Sequence, residues 1–296
     1  MKYLITGATG NLGRRVTEWL ATFTAPENIK AGVHNPAHGK FLDKLSVEKV
    51  KIDYQQRDTL KNAFKGIDLV IYIPSKTYKL NDRIAEFENV LAAAKENKSS
   101  LIFVSFFADQ ENNPFVMSPF YAYVPRRLAG AGIKYTIVKN TLYADPLVPY
   151  LSELIQRHHV IYPVGAQPLS FITQNDSAHA IAKLAVEPEF RDQGQTYLLS
   201  MEHNFNMVEL SYIMQNVTEK TITYQPVSLE KFAQIYAAEG DGSELSSMYA
   251  GGAMGLLKAT SDDFHRITGR EPEDMEHFLR NGYQISKLSS FEKEQL

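Results

Sequence analysis

The sequence predicts an α/β fold in which a doubly wound parallel sheet is joined to a smaller, mostly helical C-terminal lobe. Short, fully apolar runs of strand length recur through the first half of the chain. Segments with helical spacing of apolar residues separate these runs, which is the pattern of a parallel sheet covered by helices on both faces. A glycine-rich turn between the first run and the first helix belongs to the same pattern.

The strands and helices of the first half can be assigned in chain order. After the first strand, Leu12, Val16 and Leu20 share one helix face with Trp19 and Phe23. The strands are expected at Tyr3 to Ile5, Ile29 to Val33, Val47 to Ile52, Leu69 to Ile73, Leu101 to Val104 and Tyr135 to Val138. Later helices are expected around Ile84 to Ala94, Val124 to Ala131, Leu147 to Gln156, Ala178 to Val186 and Met207 to Met214.

The alternation loosens past Asn140, where helical patterns mix with short strands such as Thr221 to Tyr224. We therefore divide the chain into a sheet domain, residues 1–145, and a second lobe, residues 146–296, interleaved with the last sheet elements. No low-complexity tract or repeat marks the boundary.

Composition and charge exclude several classes of function. A formal net charge of −3 gives no field that would attract nucleic acid or an anionic membrane, so neither is an expected partner. The absence of cysteine excludes disulfides, thiolate nucleophiles and Cys-ligated metals, and it fits a cytoplasmic location. No apolar stretch is long enough to span a bilayer, and no signal peptide is expected.

The glycine turn predicts a dinucleotide site. Gly7 permits the tight turn after the strand, Gly10 lets the backbone approach a pyrophosphate, and Gly13 lets the helix pack closely on the sheet. The free amides at the start of the helix would face the phosphates, and the helix dipole would favour them. A glycine triplet alone is a weak signal, but its position between a strand and a helix is the context that supports it.

The segment from Ile5 to Gly13 resembles the start of the NmrA-like branch of the atypical short-chain dehydrogenases, which includes quinone oxidoreductases and triphenylmethane reductases. Further agreement extends over nearly the whole chain, in His34 to Ala37, Asp53 and Tyr54, Gly132 to Thr136, Asn140 to Tyr143, Ser261 to Phe264 and Gly269 to Pro272. The resemblance implies a Rossmann-type NAD(P)-binding domain over residues 1–145.

The loop after the second strand favours NADP over NAD. It contains no acid to hold a ribose 2′-hydroxyl, but it carries His34, His38 and Lys40. Relatives that the chain resembles have arginine where His34 stands, so the grip on a 2′-phosphate should be weaker and should strengthen as the pH falls. Asp53 is placed as the family's adenine contact would be, although an aspartate after a strand is as often a helix cap.

The cofactor-binding residues expected from the glycine turn, this loop and the resemblance are Gly7, Thr9, Gly10, Asn11, Leu12, Gly13, His34, Lys40, Asp53, Pro74, Ser75, Asn140, Thr141, Leu142 and Tyr143.

No Tyr-x-x-x-Lys pair of the kind that short-chain dehydrogenases and sugar epimerases use is predicted. This spacing occurs three times in the sequence. The matches that start at Tyr72 and Tyr135 begin in predicted strands, where four residues span about 13 Å. The third, Tyr283 to Lys287, is in the C-terminal tail. At the helix where the pair belongs, the residue four after Tyr121 is Pro125, which we expect to start that helix.

No metal site or activated nucleophile is expected either. His158 and His159 are adjacent and would point to opposite faces of a strand, so they make no chelating face. No Gly-x-Ser-x-Gly elbow or phosphate loop ending in Gly-Lys-Ser/Thr occurs, which disfavours hydrolases and kinases.

The leading hypothesis is an NAD(P)H-dependent reductase that passes hydride to a quinone or a similar conjugated acceptor, without a Tyr/Lys proton relay. Such a reaction needs an apolar, aromatic slot over the nicotinamide. The candidates for this slot are Phe106, Phe107, Phe120, Tyr121, Tyr123 and Tyr143, about half of which core packing would explain equally well. The alternative is a non-catalytic NAD(P)-binding redox sensor that acts through a protein partner and whose slot its own side chains could fill.

Overall fold

A seven-stranded parallel sheet forms the centre of the structure. The structure is a computed structural model that describes residues 1–239 and 242–294. The side chains of residues 38, 239 and 287–294 are not described. The strand order is β10-β6-β5-β4-β1-β2-β3. Its strands are β1 Tyr3–Ile5, β2 Ile29–Val33, β3 Glu48–Lys51, β4 Leu69–Tyr72, β5 Ser100–Phe106, β6 Tyr135–Asn140 and β10 Thr196–Leu199. The chain reverses its direction of travel across the sheet between β1 and β4, the position at which open parallel sheets bind ligands.

Two small parallel ladders lie outside this sheet. They pair β7 Leu142–Tyr143 with β9 Phe171–Ile172, and β8 His159–Val160 with β11 Thr223–Tyr224. The α-helices of the first half are α1 Asn11–Phe23, α2 Lys40–Lys44, α3 Arg57–Phe64, α4 Leu80–Asn97 and α5 Ser118–Ala129. Those of the second half are α6 Leu147–Arg157, α7 Gln174–Val186, α8 Met207–Thr218, α9 Leu229–Ile235, α10 Gly242–Ala253, α11 Asp263–Thr268 and α12 Met275–Glu294.

The sheet is buried on both faces because alternate strand residues enter two different cores. In β1, Tyr3 and Ile5 pack with helices α1 and α7, whereas Leu4 packs with α3, α4 and α5 on the other face. The apolar runs of β1, β2, β4 and β5 are therefore strands with two buried sides, as predicted, whereas the edge strand β3 has no fully buried residue. The Rossmann-type α/β fold is confirmed.

A separate core lies among α6, α8, α9 and α12 and the two small ladders, and residues before α5 such as Phe107, Phe115 and Met117 also belong to it. The second half of the chain also supplies strand β10, which pairs with β6, and helix α7, which packs on α1. The two halves of the sequence are therefore interleaved in the sheet.

The start of helix α5 differs from the sequence expectation. The helix begins at Ser118 with Pro119 in its first turn, so Pro125 lies inside the helix and does not start it. Phe120 and Val124 of this helix are fully buried, and their packing stabilises the helix on both sides of the turn that leads into Pro125. Proline has no N–H to bond the carbonyl of Tyr121 one turn earlier.

One other local expectation is corrected. His158 directly follows α6 in the left-handed region, with φ +60°, and His159 begins β8, so they are not two residues of one strand. The C-terminal segment that contains Tyr283 is helix α12, which packs on α6 and α8. Within the described residues, no helix is long and apolar enough to cross a membrane.

Candidate functional site

The glycine turn joins β1 to α1 in the conformation that the sequence predicts. Gly7 has φ +63°, in the left-handed region that favours glycine. A Cβ on Gly13 would lie 2.2 Å from the Gly7 carbonyl oxygen, so this position has no room for a side chain. Among the described residues, no side chain caps the helix at Gly10, and its first turn carries no acid. The amides at this helix end are thus left for an anionic ligand.

A small pocket of about 350 Å³ lies beside the turn. It is lined by Thr9, Gly32 and His34 on one side and by Asp53 and Tyr54 on the other. Gly32 keeps the pocket open, because a Cβ there would lie 2.4 Å from the Ile52 side chain. The pocket brings together Thr9, His34 and Asp53, three of the residues expected to bind the cofactor.

Asp53 is not the N-cap of helix α3, because its carboxylate stabilises the turn before that helix. Its carboxylate accepts hydrogen bonds from the Gln55 backbone N–H at 3.0 Å and from Gln56 Nε2 at 2.8 Å. The residue before helix α3 is Gln56. Lys40 begins α2 and lines neither this pocket nor the cleft described next, and His38 has no described side chain.

A larger cleft of about 810 Å³ runs from the glycine turn to the second lobe. At one end it is lined by the backbone of Gly10 to Gly13, and at the other by aromatic side chains of the second lobe. Six of the expected cofactor-binding residues lie at or just after the ends of β4 and β6, and all six line the cleft: Pro74, Ser75, Asn140, Thr141, Leu142 and Tyr143. The cleft lies at the carboxyl ends of β1, β4, β5 and β6, as expected for such a sheet.

The loop after β4 is held by a buried carboxylate. Glu86 is only 4% exposed and accepts hydrogen bonds from the hydroxyls of Ser75 and Thr77, the latter at 2.8 Å. Ser75 lines both the small pocket and the cleft. Glu86 therefore fixes the wall that the two cavities share.

Two buried polar atoms in the cleft wall lack hydrogen-bond partners in the part of the chain that the structure describes. They are Asn140 Nδ2 and Ser105 Oγ, at the ends of β6 and β5. The carbonyl of the same Asn140 side chain accepts a hydrogen bond from Ser177 Oγ at 2.6 Å, which fixes the direction of the amide. Buried donors without partners are costly, so this pair indicates a polar ligand group at this end of the cleft.

The aromatic candidates divide between the cleft and the core. Phe106, Tyr121 and Tyr143 line the cleft, and burial raises the pKa of Tyr121 and Tyr143, so both phenols stay protonated. Phe107 and Phe120 are buried outside its lining. The structure does not place Tyr123 in the slot either, because its hydroxyl donates to Glu88 at 2.8 Å on the outer side of α4.

The three Tyr-x-x-x-Lys matches begin in three different elements, β4, β6 and α12. Tyr72 is buried at the end of β4, although Lys76 lines the cleft. Lys139 is paired with Asp109 at 2.6 Å. The side chain of Lys287 lies outside the described residues.

Sequence reasoning missed Arg83 and Glu86, which the structure places at the cleft and the pocket. A signal was present, since Arg83 precedes the buried residues Phe87, Val90 and Ala94 at the spacing of one helix face. A charged residue in register with a buried stripe indicates a polar site within the core. Among the residues described, no group of three or more His, Asp or Glu side chains is placed to bind a metal ion.

The strand order, the glycine turn and the cleft at the switch point define a protein of the Rossmann class. The chain belongs to the NmrA-like family, whose model matches residues 1–279.

Three relatives illustrate the range of proteins that the chain is similar to. Quinone oxidoreductase 2 of Escherichia coli is 26% identical over 86% of this chain and 87% of its own. A Staphylococcus aureus structure described as a nucleoside-diphosphate-sugar epimerase is 38% identical, with a TM-score of 0.90 over 95% of this chain and 100% of its own. Triphenylmethane reductase from Citrobacter is 24% identical, with a TM-score of 0.88 over 96% of this chain and 100% of its own.

Proposed function

We propose that the protein is an NADPH-dependent reductase whose acceptor is a quinone or a similar conjugated molecule. The observation that carries this proposal is the continuous cleft of about 810 Å³, which leads from the glycine turn to an aromatic wall. The relatives described as quinone oxidoreductase and triphenylmethane reductase support it. The quinone oxidoreductase from Escherichia coli has been crystallised with NADPH, and the triphenylmethane reductase from Citrobacter has been crystallised with NADP(H).

The residues present fit a dinucleotide. The glycine turn and the uncapped amides of α1 would hold the pyrophosphate, and Thr9, His34 and Asp53 would surround the adenosine half. Asn140 Nδ2 and Ser105 Oγ would meet polar groups at the nicotinamide end. When bound, the reduced nicotinamide supplies the hydride. Phe106, Tyr121 and Tyr143 would keep water from the acceptor.

NADPH is the proposed form of the cofactor because His34 lines the small pocket and no acid follows β2 directly. Calorimetry with NADPH and NADH tests this choice. We expect tighter binding of NADPH, and His34→Arg should strengthen NADPH binding about tenfold, since a guanidinium grips a phosphate with two hydrogen bonds. Tighter binding of NADH by the wild-type protein would overturn the choice.

An epimerase is a second candidate because of the name given to the Staphylococcus aureus relative. Tyr121 occupies the cleft, but the residue one turn later on the same helix face is Pro125, where a lysine would be needed to lower the phenol pKa. Burial instead raises the pKa of Tyr121, which disfavours its use as a base. The geometry therefore favours the reductase.

The alternative of a non-catalytic NAD(P)-binding sensor is less well supported, since the cleft is open and its own side chains do not fill it. One experiment separates the candidates. NADPH absorbance is followed with a panel of quinones and cationic dyes, for the wild type, Tyr143→Ala in the cleft and Tyr123→Phe outside it. Turnover that falls only in Tyr143→Ala supports the reductase, whereas tight cofactor binding without oxidation by any acceptor supports the sensor.

A further inference from the structure

Arg83 is a buried cation in the wall of the cleft. It lies in the first turn of α4 and is 4% exposed. Its Nε donates to the Thr77 carbonyl oxygen at 2.8 Å, and its guanidinium lies 5.7 Å from the centre of the Phe120 ring. Within the described ranges, Arg83 forms no ion pair with a carboxylate. The buried carboxylate of Glu86 lies three residues later on α4, but it accepts hydrogen bonds from Ser75 and Thr77 and not from Arg83. Because a buried guanidinium needs hydrogen-bond partners, its position in the cleft wall indicates an anionic or strongly polar ligand group.

Tyr121 is the polar neighbour of Arg83 in the cleft. Arg83 Nη1 lies 3.5 Å from the Tyr121 hydroxyl oxygen, at the limit of a hydrogen bond. The Tyr121 ring packs against Phe106 and Phe115, with ring centres 5.7 and 6.3 Å away. The hydroxyl receives the guanidinium hydrogen on its oxygen, so its own hydrogen can be donated to a ligand.

The formal charges of the cleft also favour an electron-rich ligand. The charged side chains that line it, among those described, are Lys76, Arg83 and Glu244. Glu244 faces the cleft from α10, and its charge acts on Tyr121, but Arg83 acts on the same hydroxyl more strongly. Glu86 lies behind Ser75 and lines only the small pocket, so Arg83 is the charged group that contacts the Tyr121 hydroxyl from the cleft wall. A guanidinium at this point disfavours a cationic ligand group beside Tyr121.

We propose that Arg83 and Tyr121 form a subsite for the acceptor oxygen that becomes negatively charged during reduction. This proposal rests on the reductase function proposed above. An acceptor that takes up a hydride gains two electrons and one proton, its carbonyl π electrons move to oxygen, and water supplies the second proton. The guanidinium and the phenol would stabilise that oxygen before it is protonated. The subsite selects quinones and other conjugated carbonyl compounds over cationic dyes.

Arg83→Met tests the subsite, because methionine removes the charge but keeps much of the aliphatic length. For 1,4-naphthoquinone we expect kcat/KM to fall about a hundredfold, as for the loss of one donor to a developing oxyanion. For the cationic dye malachite green it should stay equal or rise. Tyr121→Phe removes only the hydroxyl oxygen and should also lower kcat/KM for the quinone. Tyr123→Phe, which removes a hydroxyl outside the cleft, is the matched control. Equal losses for quinone and dye in Arg83→Met would overturn the proposal.

A binding measurement separates this proposal from the reductase function. Calorimetry on protein saturated with NADP⁺ compares 2-hydroxy-1,4-naphthoquinone, an anion at neutral pH, with neutral 1,4-naphthoquinone. Arg83→Met should weaken binding of the anion at least tenfold and binding of the neutral quinone much less. If no acceptor is reduced but this difference is found, the reductase function fails and the subsite stands. If turnover occurs and the two affinities change equally, the subsite fails.

Discussion

Two glycines of the same turn have different roles, which substitution can separate. A Cβ at Gly10 would meet only the Gly7 carbonyl oxygen at 3.3 Å, whereas one at Gly13 would lie 2.2 Å from that atom. We expect Gly10→Val to remain folded but to lose about a hundredfold in NADPH affinity, or about 2.7 kcal/mol. Gly13→Ala should lower the unfolding temperature sharply. Calorimetry and thermal unfolding check both, and unchanged affinity in Gly10→Val would contradict the site.

His179 makes stability depend on pH. Its ring stacks on Trp19 with centres 4.2 Å apart, and burial, aided by Arg270 and Lys183, lowers its pKa below the usual 6.5, while Asp176 opposes this. Since the unfolded chain then binds the proton more readily, the stabilisation is present above pH 6.5 and is lost as the pH falls below that value.

Urea unfolding at pH 7.5 and pH 5.5 measures this dependence. The free energy of unfolding should fall more in the wild type than in His179→Phe, which keeps the ring stack but cannot be protonated. Because other groups titrate in both proteins, the informative quantity is the difference between them. An equal fall in the two proteins would show that His179 does not contribute.

At the level of single residues, the sequence predicted the groups that belong to a local motif. Gly7, Gly10 and Gly13 are fixed by the geometry of one turn, and their context identified them. The aromatic residues were harder to assign, because Phe107 and Tyr143 both follow strands and only tertiary packing decides which one enters the cleft. For Arg83, the helical spacing indicates only that the side chain faces the core, because its contact with Tyr121 joins residues 38 positions apart in the chain.

Helix α5 shows how an element can form across an unfavourable residue. Pro125 lies in its interior, where it costs a hydrogen bond, while Pro119 lies in its first turn, where none is needed. We expect Pro125→Ala to raise the free energy of unfolding by about 1–2 kcal/mol, allowing for the greater freedom of the unfolded chain. Pro119→Ala, the matched control, should lower it by about 0.4–1 kcal/mol. Chemical denaturation would reveal whether the two changes have opposite signs.

Periodicity predicted the existence of elements better than their limits. Strands β1 and β2 have the predicted bounds, but β5 extends to Phe106 and β6 to Asn140, two residues further than their apolar runs. The extra residues pair along the neighbouring strand, so the Phe106–Asn140 pairing, and not hydrophobicity, sets the end. That extension places Asn140 at the cleft.

At the scale of the whole molecule, Asp176 ties the C-terminal segment to the sheet layer. This aspartate of α7 is 1% exposed and accepts hydrogen bonds from Arg270 Nη2 at 2.5 Å and the Glu273 backbone N–H at 2.7 Å. Asp176 is buried, but the Arg270 side chain is 41% exposed, so water can solvate the arginine once the aspartate is removed. We expect Asp176→Ala to lower the free energy of unfolding by about 2–3 kcal/mol, from the lost charged hydrogen bonds and the unpaired Glu273 N–H.

Glu276→Ala is the control for this change. Glu276 pairs with Arg280 at 2.6 Å on an exposed helix face, where such a pair contributes about 0.3–0.5 kcal/mol. Denaturant titration of both variants gives the comparison. If they lose equal stability, the buried tie has no special importance.

The pairing of β10 with β6 has a consequence for biosynthesis. When residue 145 has left the ribosome, the edge of β6 still lacks its neighbour, and the face that α7 covers is bare. At the usual rates of translation, the roughly 50 residues up to Leu199 take on the order of 3–10 s to appear. Throughout that interval the nascent chain exposes an unpaired strand edge, the kind of surface that invites aggregation and that chaperones must shield.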